Sequence, residues 1–407
     1  MGNKMDAKLD STPLTETIFN RLTALTVPRW LWLPTLVFVA TRLGVLLVAY
    51  LAVPLLLDSV SPPPYHLRGT ENILLDVFAS RWDTGFYVSI VEEGYKFQGV
   101  PLPSVAFFPL LPLLMAALLP LVGDAAVSGI IVSNLALLGT AVFFYRLVAE
   151  NWSQKVADRA VWYLLIFPLA FYGSAIYTES LFLLVTIAAY YFARRGQWRY
   201  SVPFAIAATL TRLVGIIIVP MLLLEWWRQW QNNEAGERPS FWALLVPVSA
   251  PLGLASYMAY LWYVFGDALA FANASAAWGR VPQSPFETVG NLLQRPSIGW
   301  LQTFITGQIH FDNWIDFLFV TVFLILGIVL LYKGRYAEAA FVLLGVVIPF
   351  SSGLLMSQRR YMWVLFPAFI LLAEWGEHPW VDKVVTAVSL PLLALFTALY
   401  ANGYWVA

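Results

Sequence analysis

Long runs of apolar residues dominate the chain and predict its architecture. A run of about 20 such residues forms a helix that can cross the roughly 30 Å hydrocarbon core of a bilayer. We therefore expect an all-α, polytopic integral membrane protein with about 9–11 transmembrane helices in a single domain, residues 1–407. The clearest runs lie near residues 31–57, 126–149, 157–175, 178–193, 242–265, 312–332, 336–355, 360–375 and 381–403.

Two further apolar segments are ambiguous. Residues 105–122 contain three prolines, and residues 200–224 carry Arg212 near their middle, where a lipid-facing helix tolerates a charge poorly. If the first only dips into the outer face and the second folds as a hairpin, the basic segments share the cytoplasmic side, as the positive-inside rule requires. If both cross, three basic loops between Arg146 and Arg199 become ambiguous. The first arrangement also makes the N-terminus cytoplasmic and places four loops on the outer face: 58–104, 174–180, 266–311 and 351–360.

Composition agrees with a membrane protein. Hydrophobic residues make up 60% of the chain and charged residues only 12%, about half the usual share in soluble domains. The net charge is zero, so the chain has no electrostatic signature of nucleic-acid binding. Because the chain has no cysteine, disulfides and thiolate nucleophiles are excluded.

The first outer loop contains the first candidate for chemistry. Residues 71–92 carry apolar side chains at helical spacing, which predicts amphipathic helices on the membrane surface. Asp83 falls where two such helices meet, in the stretch RWDTGFY. The structural interpretation is that Asp83 is the N-cap of a helix that ends at Gly94, and the functional one is that it is a catalytic acid or base. One residue can have both roles.

A second acid stands at the outer end of a predicted span. Glu179 lies in the stretch AIYTESLF beside Tyr177. An acid at a helix N-terminus complements the helix dipole, which is the purely structural interpretation. Two carboxylates on one water-facing side can also bind a polyhydroxylated ligand and remove a proton from it.

Arginines near the same face are candidates for binding an anion. Arg359 and Arg360 begin a span from the outer side, where a helix N-terminus already favours a phosphate. Arg280 follows Trp278 in the third outer loop, although this tryptophan is also a natural interfacial anchor. Arg212 is either part of a functional site or the structural partner of an acid within a transmembrane span.

No metal or cofactor site is predicted. His66, His310 and His378 are isolated, and the chain has no zinc-binding, Walker A or dinucleotide-binding pattern. We therefore expect the protein to work without a cofactor or a bound metal.

Six stretches resemble, in order and spacing, the motifs of the PIG-V-like mannosyltransferases. They are RWDTGFYVSIVEEGY, AFFPLLPLL, YTESLF, LTRLVG, WGR and QRRYMW. That family resembles the GT-C superfamily of integral-membrane glycosyltransferases, which take a sugar from a polyprenyl-phosphate donor and carry an essential acid in the first outer loop. The resemblance implies a GT-C-like bundle with Asp83 as that acid.

The resemblance also implies an inverting transfer of mannose from polyprenyl-phosphate-mannose to an acceptor hydroxyl at the outer face of the cell membrane. The first loop departs from the animal and fungal pattern, which favours a prokaryotic glycolipid or surface glycan as acceptor. We hypothesise that Asp83 is the base. The remaining assignments are substrate binding by Trp82, Tyr87, Tyr177, Glu179, Trp278 and Arg280, and donor-phosphate binding by Arg359, Arg360 and Arg212.

Two other classes of protein compete with the enzyme. A secondary transporter or lipid flippase also has broken helices and intramembrane arginines, but it would place its acids near the bilayer midplane. A non-catalytic membrane scaffold would explain the hydrophobicity but not outward acids beside outward arginines.

Overall fold

The computed structural model describes residues 27–56, 72–232, 239–294 and 311–406. The predicted cytoplasmic N-terminal segment, the tripeptide of prolines at 62–64, His66 and His310 lie outside these described residues. Within the described ranges the chain is helical and contains no β-strand. The helices are α1 (Arg29–Leu55), α2 (Ile73–Ala79), α3 (Thr84–Glu93), α4 (Leu110–Val122), α5 (Ala125–Asn151), α6 (Gln154–Ile166), α7 (Glu179–Arg194), α8 (Trp198–Thr211), α9 (Ile218–Asn232), α10 (Leu245–Ser249), α11 (Pro251–Phe265), α12 (Ala270–Ser275), α13 (Pro285–Gln294), α14 (Phe311–Tyr332), α15 (Tyr336–Phe350), α16 (Gln358–Trp363), α17 (Phe366–Trp375) and α18 (Pro379–Ala401).

The predicted all-helical membrane architecture is confirmed. Among the described residues, six helical segments are long and apolar enough to cross a bilayer, and three apolar helices are shorter. The six are Arg29–Leu55, Ala125–Asn151, Leu213–Asn232, Phe241–Phe265, Asn313–Tyr332 and Pro379–Ala401, and the shorter three are α4, α15 and α17.

Several apolar runs that predict one span each are broken in the structure. The run at 157–175 forms α6, which stops where Phe167 adopts an extended conformation (φ −51°, ψ 141°). Phe167 precedes Pro168, and a proline disfavours helical geometry in the residue before it. A short 3₁₀ turn, Ala170–Gly173, then leads to α7.

Arg42 satisfies the backbone that this break leaves unpaired. Its guanidinium donates to the carbonyl oxygens of Ala170 (2.7 Å) and Leu165 (3.1 Å), and only 5% of the residue is exposed. Carbonyls that lose their helical partners need another donor when they are buried. A charge in the middle of a predicted span therefore has a structural use here.

The ambiguous segment 200–224 forms a hairpin, as expected, but a deep one. Helices α8 and α9 are its two legs, and Arg212 stands at the tip in an extended conformation (φ −162°, ψ 151°). The tip reaches Glu179 at the start of α7 (2.9 Å), whereas Gln229 on the second leg donates to the carbonyl of Ala193 near the end of α7 (2.7 Å). Both legs thus run alongside α7, and Arg212 lies at a helix junction rather than within a span.

The other ambiguous segment, 105–122, contains α4. A helix of 13 residues is about 20 Å long, too short to cross the bilayer core on its own. Gly123 ends it in the left-handed conformation (φ 81°), and the Asp124 side chain caps the next helix by accepting from the amide of Val127. The chain therefore reverses at once into α5.

Helix α7 is the centre of the bundle. Its side chains are buried on nearly all sides, since it packs against α5 and α8 and contacts α9. A helix that is surrounded in this way belongs to the core. We use its first and last residues to name the two ends of the bundle, the Glu179 end and the Arg194 end.

The basic segments predicted to share one side meet at the Arg194 end. Arg194 and Arg335 lie over the ring of Trp152, 5.6 and 4.8 Å from its centroid. Arg194 pairs with Glu225 (3.7 Å) and Arg335 pairs with Glu374 (2.9 Å). Trp152, Arg194, Glu225, Arg335 and Glu374 belong to five different connecting segments of the chain. Their common location agrees with the expectation that the basic segments share one side of the membrane.

The predicted helices of the first loop are present, and much of their apolar face is buried against other helices. They are α2 and α3, and Val77 and Phe78 of α2 are buried in the core of the bundle. The carbonyl of Phe78 accepts a hydrogen bond from the amide of Ile176 (3.0 Å), just ahead of α7. The apolar spacing in this loop therefore reports burial against other helices rather than contact with lipid.

Gly215 allows the tip of the hairpin to close. A Cβ at this position would stand 2.0 Å from the carbonyl oxygen of Ala208 and 2.9 Å from Cα of Thr209, both backbone atoms that cannot move aside. We expect Gly215→Ala to lower the free energy of unfolding by about 1–3 kcal/mol, because overpacking forces the turn to shift. Thermal unfolding of the purified protein in detergent measures this loss. Gly44→Ala is the matched control, since nothing lies within 4 Å of its Cβ; equal stability of the two variants would contradict the prediction.

Candidate active site

A cavity of about 900 Å³ opens at the Glu179 end of the bundle. Its lining comes from the first loop, the start of α7, the hairpin tip, the third outer loop and α16. Nine of the ten residues that the sequence predicts for a site line it, namely Trp82, Asp83, Tyr87, Tyr177, Glu179, Arg212, Trp278, Arg280 and Arg360. Arg359 does not.

Asp83 is held in the cavity wall by an unusual backbone. Trp82 adopts a left-handed conformation (φ 58°), which is rare for a bulky residue, and its ring packs edge-on against Trp405 at 4.7 Å. The amide of Asp83 donates to the hydroxyl of Tyr177 (3.3 Å). Although Asp83 precedes α3, its side chain makes no capping hydrogen bond. Instead Oδ2 pairs with Nη1 of Arg360 at 3.2 Å. Asp83 therefore stands at the N-cap position, as expected, but its side chain does not cap the helix.

Glu179 is a buried acid with two cationic partners. Its Oε1 lies 2.9 Å from Nη1 of Arg212 and 3.2 Å from Nε of Arg360. Its side chain is only 1% exposed, and Oε2 has no hydrogen-bond partner among the described residues. The acid does begin α7, but complementing the helix dipole is not its main interaction.

Arg360 therefore joins the two acids. One guanidinium group contacts both Asp83 and Glu179, and it also lies 4.9 Å from the ring centroid of Tyr177 and 5.3 Å from that of Tyr172. Ion pairs and ring faces together fix its direction.

Arg359 is adjacent in sequence but points elsewhere. It is fully buried, its Nε lies 3.5 Å from Oδ1 of Asp316, and its guanidinium lies 5.4 Å from the ring of Phe396. Neighbouring residues on a helix point about 100° apart, so only one of an arginine pair can face the cavity. The hypothesis that Arg359 binds the donor phosphate thus has no support in the geometry, and Arg360 is the member of the pair that lines the cavity.

Arg280 is carried by a loop that is tied to the end of α15. The amides of Val281 and Gln283 donate to the carbonyls of Ser352 (3.2 Å) and Ser351 (3.0 Å). Arg280 itself donates to the side-chain hydroxyl of Ser352 through Nη1 (3.2 Å).

An aromatic wall faces these charges. Trp278 packs against Phe86 (5.1 Å between centroids) and Phe107 (5.6 Å), and Phe107 also packs against Tyr87 (5.2 Å). Burial, and then the charges of Glu179 and Asp83, raise the pKa of Tyr87 above its usual value, so its hydroxyl stays protonated.

Among the lining residues that sequence reasoning missed are three aromatic ones, Phe107, Tyr361 and Trp405. The motifs AFFPLLPLL and QRRYMW contain the first two, which was the available signal. Trp405 had none, because its contact with Trp82 joins positions more than 300 residues apart.

The charges in the cavity do not cancel. Three guanidinium groups (Arg212, Arg280, Arg360) face two carboxylates (Asp83, Glu179), which leaves one net positive charge. Arg280 is the unmatched group, since no carboxylate of the described residues lies within ion-pair distance of it.

The described residues also contain no group of three or more His, Cys, Asp or Glu side chains that could hold a metal ion.

Fold and cavity together define a multi-pass membrane protein with a charged cavity at one end of its helix bundle. The family model described as Mannosyltransferase (PIG-V) matches residues 37–233. The resemblance indicated by the motifs is thus confirmed over these residues, and it supports a glycosyltransferase. Asp83, Glu179 and Arg212 lie inside the matched part, whereas Arg280 and Arg360 lie beyond it.

Among solved structures, the chain is similar to an oligosaccharyltransferase from Archaeoglobus fulgidus, crystallised with zinc and sulfate. The TM-score is 0.39 and the sequence identity is 14%, over 89% of this chain and 53% of that chain. This chain therefore spans about half the length of that protein. No curated protein matches the sequence.

The buried pair Glu179–Arg212 gives a stability prediction. Removing one partner of a buried pair strands the other charge, so we expect Glu179→Gln to lower the free energy of unfolding by about 3–5 kcal/mol. The double variant Glu179→Gln/Arg212→Gln should lose clearly less than the sum of the two single variants. Unfolding of the four proteins in detergent measures the coupling, and additive losses would contradict it.

Glu93→Gln is the matched control for this charge removal. Glu93 pairs with Lys96, and both side chains are about half exposed (55% and 50%). An exposed pair contributes about 0–1 kcal/mol, so this variant should unfold like the wild type.

Proposed function

We propose that this protein is a GT-C-like glycosyltransferase that moves mannose from polyprenyl-phosphate-mannose to an acceptor hydroxyl. The observation that carries the proposal is the Asp83–Arg360–Glu179 arrangement beside the unmatched charge of Arg280. It supplies a base and an anion site within one cavity.

The net charge of the cavity suits a phosphodiester. A polyprenyl-phosphate sugar carries one negative charge, which equals the single unmatched positive charge of the cavity. A diphosphate-linked sugar would bring about two charges and leave one without a partner in a buried site, which is costly. The charge balance therefore favours the monophosphate donor.

The cavity also has an apolar side that reaches the surface of the bundle. Leu213 and Met356 line it and are 46% and 39% exposed. A prenyl chain in the surrounding lipid can lie along these side chains while its phosphate reaches the arginines.

The chemistry needs one base and one anion site. Asp83 keeps 20% of its side chain exposed, so an acceptor hydroxyl can reach the carboxylate. The hydroxyl proton passes to Asp83 as the acceptor oxygen bonds to C1 of the sugar. The bond from C1 to the phosphate oxygen breaks, its electron pair stays on the phosphate, and attack from the opposite face inverts C1.

Proton transfer and departure of the phosphate then reinforce each other. The leaving prenyl phosphate gains a negative charge as Asp83 is neutralised by the proton. The ion pair between Asp83 and Arg360 is then lost, and Arg360 can stabilise the new charge on the phosphate. Electrostatic stabilisation of charge that develops in the transition state is often the largest contribution to catalysis.

We place the Glu179 end at the outer face of the membrane. Arg194, Arg195, Arg228 and Arg335 lie at the other end, and the positive-inside rule assigns that end to the cytoplasm. The acceptor is then a glycolipid or surface glycan outside the cell. A transporter is less well supported, because the acids lie at one end of α7 rather than half-way along it.

The role of Asp83 predicts the result of one substitution. Asp83→Asn should lower the transfer rate by about 10²–10⁴-fold, the usual contribution of a general base. The assay combines purified protein, polyprenyl-phosphate-mannose labelled in the sugar and a crude membrane lipid extract, and it measures labelled product. Glu92→Gln is the control, since this exposed acid lies in the same motif. A folded Asp83→Asn protein that works at the wild-type rate would refute the assignment.

The proposed orientation is testable because the chain has no cysteine. Ala277→Cys, at an exposed position near the cavity, should react with a membrane-impermeant maleimide in intact cells. Lys333→Cys, exposed at the Arg194 end, should react only after the membrane is permeabilised. The reverse pattern would place the cavity in the cytoplasm.

A further inference from the structure

Three guanidinium groups surround one aromatic ring in the cavity wall. The ring centroid of Tyr361 lies 4.8 Å from Cζ of Arg212, 5.6 Å from Cζ of Arg280 and 5.6 Å from Cζ of Arg360. The hydroxyl of Tyr361 accepts a hydrogen bond from Nη2 of Arg280 at 2.6 Å. Among the residues that the structure describes, Tyr361 is thus the side chain that contacts all three cations of the cavity.

The three cations do not depend on Tyr361 equally. Arg212 and Arg360 are also held by carboxylates. Among the described residues, the guanidinium of Arg280 donates hydrogen bonds only to the hydroxyl oxygens of Ser352 and Tyr361, so these two hydroxyls fix its direction. The three positive charges of the cavity repel one another, and attraction to the electron-rich face of the ring offsets part of this repulsion.

We propose that Tyr361 is a positioning residue that gathers Arg212, Arg280 and Arg360 into one site for the donor phosphate. The inference rests on the proposed function, since it concerns the anion that this function requires. The ring keeps Arg212 and Arg360 side by side, and the hydroxyl directs Arg280 towards the same point. Tyr361 itself takes no part in proton transfer.

The two parts of the side chain predict two different defects. Tyr361→Phe keeps the ring and releases only Arg280, so KM for the donor should rise about ten-fold, as expected for a hydrogen bond to a charged group, while kcat stays within about three-fold. Tyr361→Leu also removes the ring. It should lower kcat as well, because without the ring the guanidinium of Arg360 is no longer oriented to stabilise the leaving phosphate.

A double variant separates positioning from general structural damage. If Tyr361 acts through Arg280, Arg280→Gln should raise KM as Tyr361→Phe does, and Arg280→Gln/Tyr361→Phe should be no worse than Arg280→Gln alone. Inhibition by farnesyl phosphate, which carries the phosphate without a sugar, should weaken in parallel. Tyr336→Phe, a substitution at an exposed position at the Arg194 end, is the control and should leave KM and inhibition unchanged.

The experiment measures kcat and KM for polyprenyl-phosphate-mannose and the inhibition constant of farnesyl phosphate for each purified variant. A Tyr361→Phe enzyme with wild-type KM and inhibition would overturn the inference, and so would additive losses in the double variant or a fall in kcat alone. Such results leave the proposed function intact, because the wild type still transfers mannose. If the wild type neither transfers mannose nor binds farnesyl phosphate, the proposed function fails first.

Discussion

The contact of one guanidinium group with two carboxylates is the interaction on which the cavity depends. Arg360 arrives from α16, Asp83 from the first loop and Glu179 from the start of α7, so the ion pairs join three distant parts of the chain. Each group is mostly buried, and a buried charge persists only when it is paired. The same pairing holds both carboxyl groups beside the guanidinium groups of the cavity. The cluster of Arg360, Asp83 and Glu179 therefore joins the three parts of the chain and also supplies the charged groups of the cavity.

The two ends of the bundle use charge in different ways. At the Arg194 end, arginines and glutamates pair around Trp152 and tie loops together. At the Glu179 end the pairing is incomplete, and the guanidinium of Arg280 is held by the hydroxyls of Ser352 and Tyr361 instead of by a carboxylate. A balanced cluster stabilises a fold, whereas an unbalanced one has affinity left for a ligand. This difference, rather than the number of charges, is why we propose the Glu179 end as the functional one.

Breaks in the helices place the charged side chains of the cavity. The break at Pro168 leads to the turn before Glu179, and the hairpin tip carries Arg212. The left-handed Trp82 comes directly before Asp83. A regular helix presents its side chains to neighbouring helices or to lipid, so a cavity at the end of a bundle is built from residues where the helices stop.

The sequence by itself determined the helical membrane class, the grouping of the basic segments and nine residues of the cavity wall, out of ten that it predicted for a site. Apolar run length and charge placement are local properties that can be read along a chain. Only the tertiary structure decided that Arg359 turns away towards Asp316, that the tip of a hairpin brings Arg212 to Glu179, and that Tyr361 and Trp405 complete the wall. These outcomes depend on the rotation of a short helix and on contacts between residues far apart in sequence. Neither leaves a local pattern, which is why the composition of the site was predictable and its internal pairing was not.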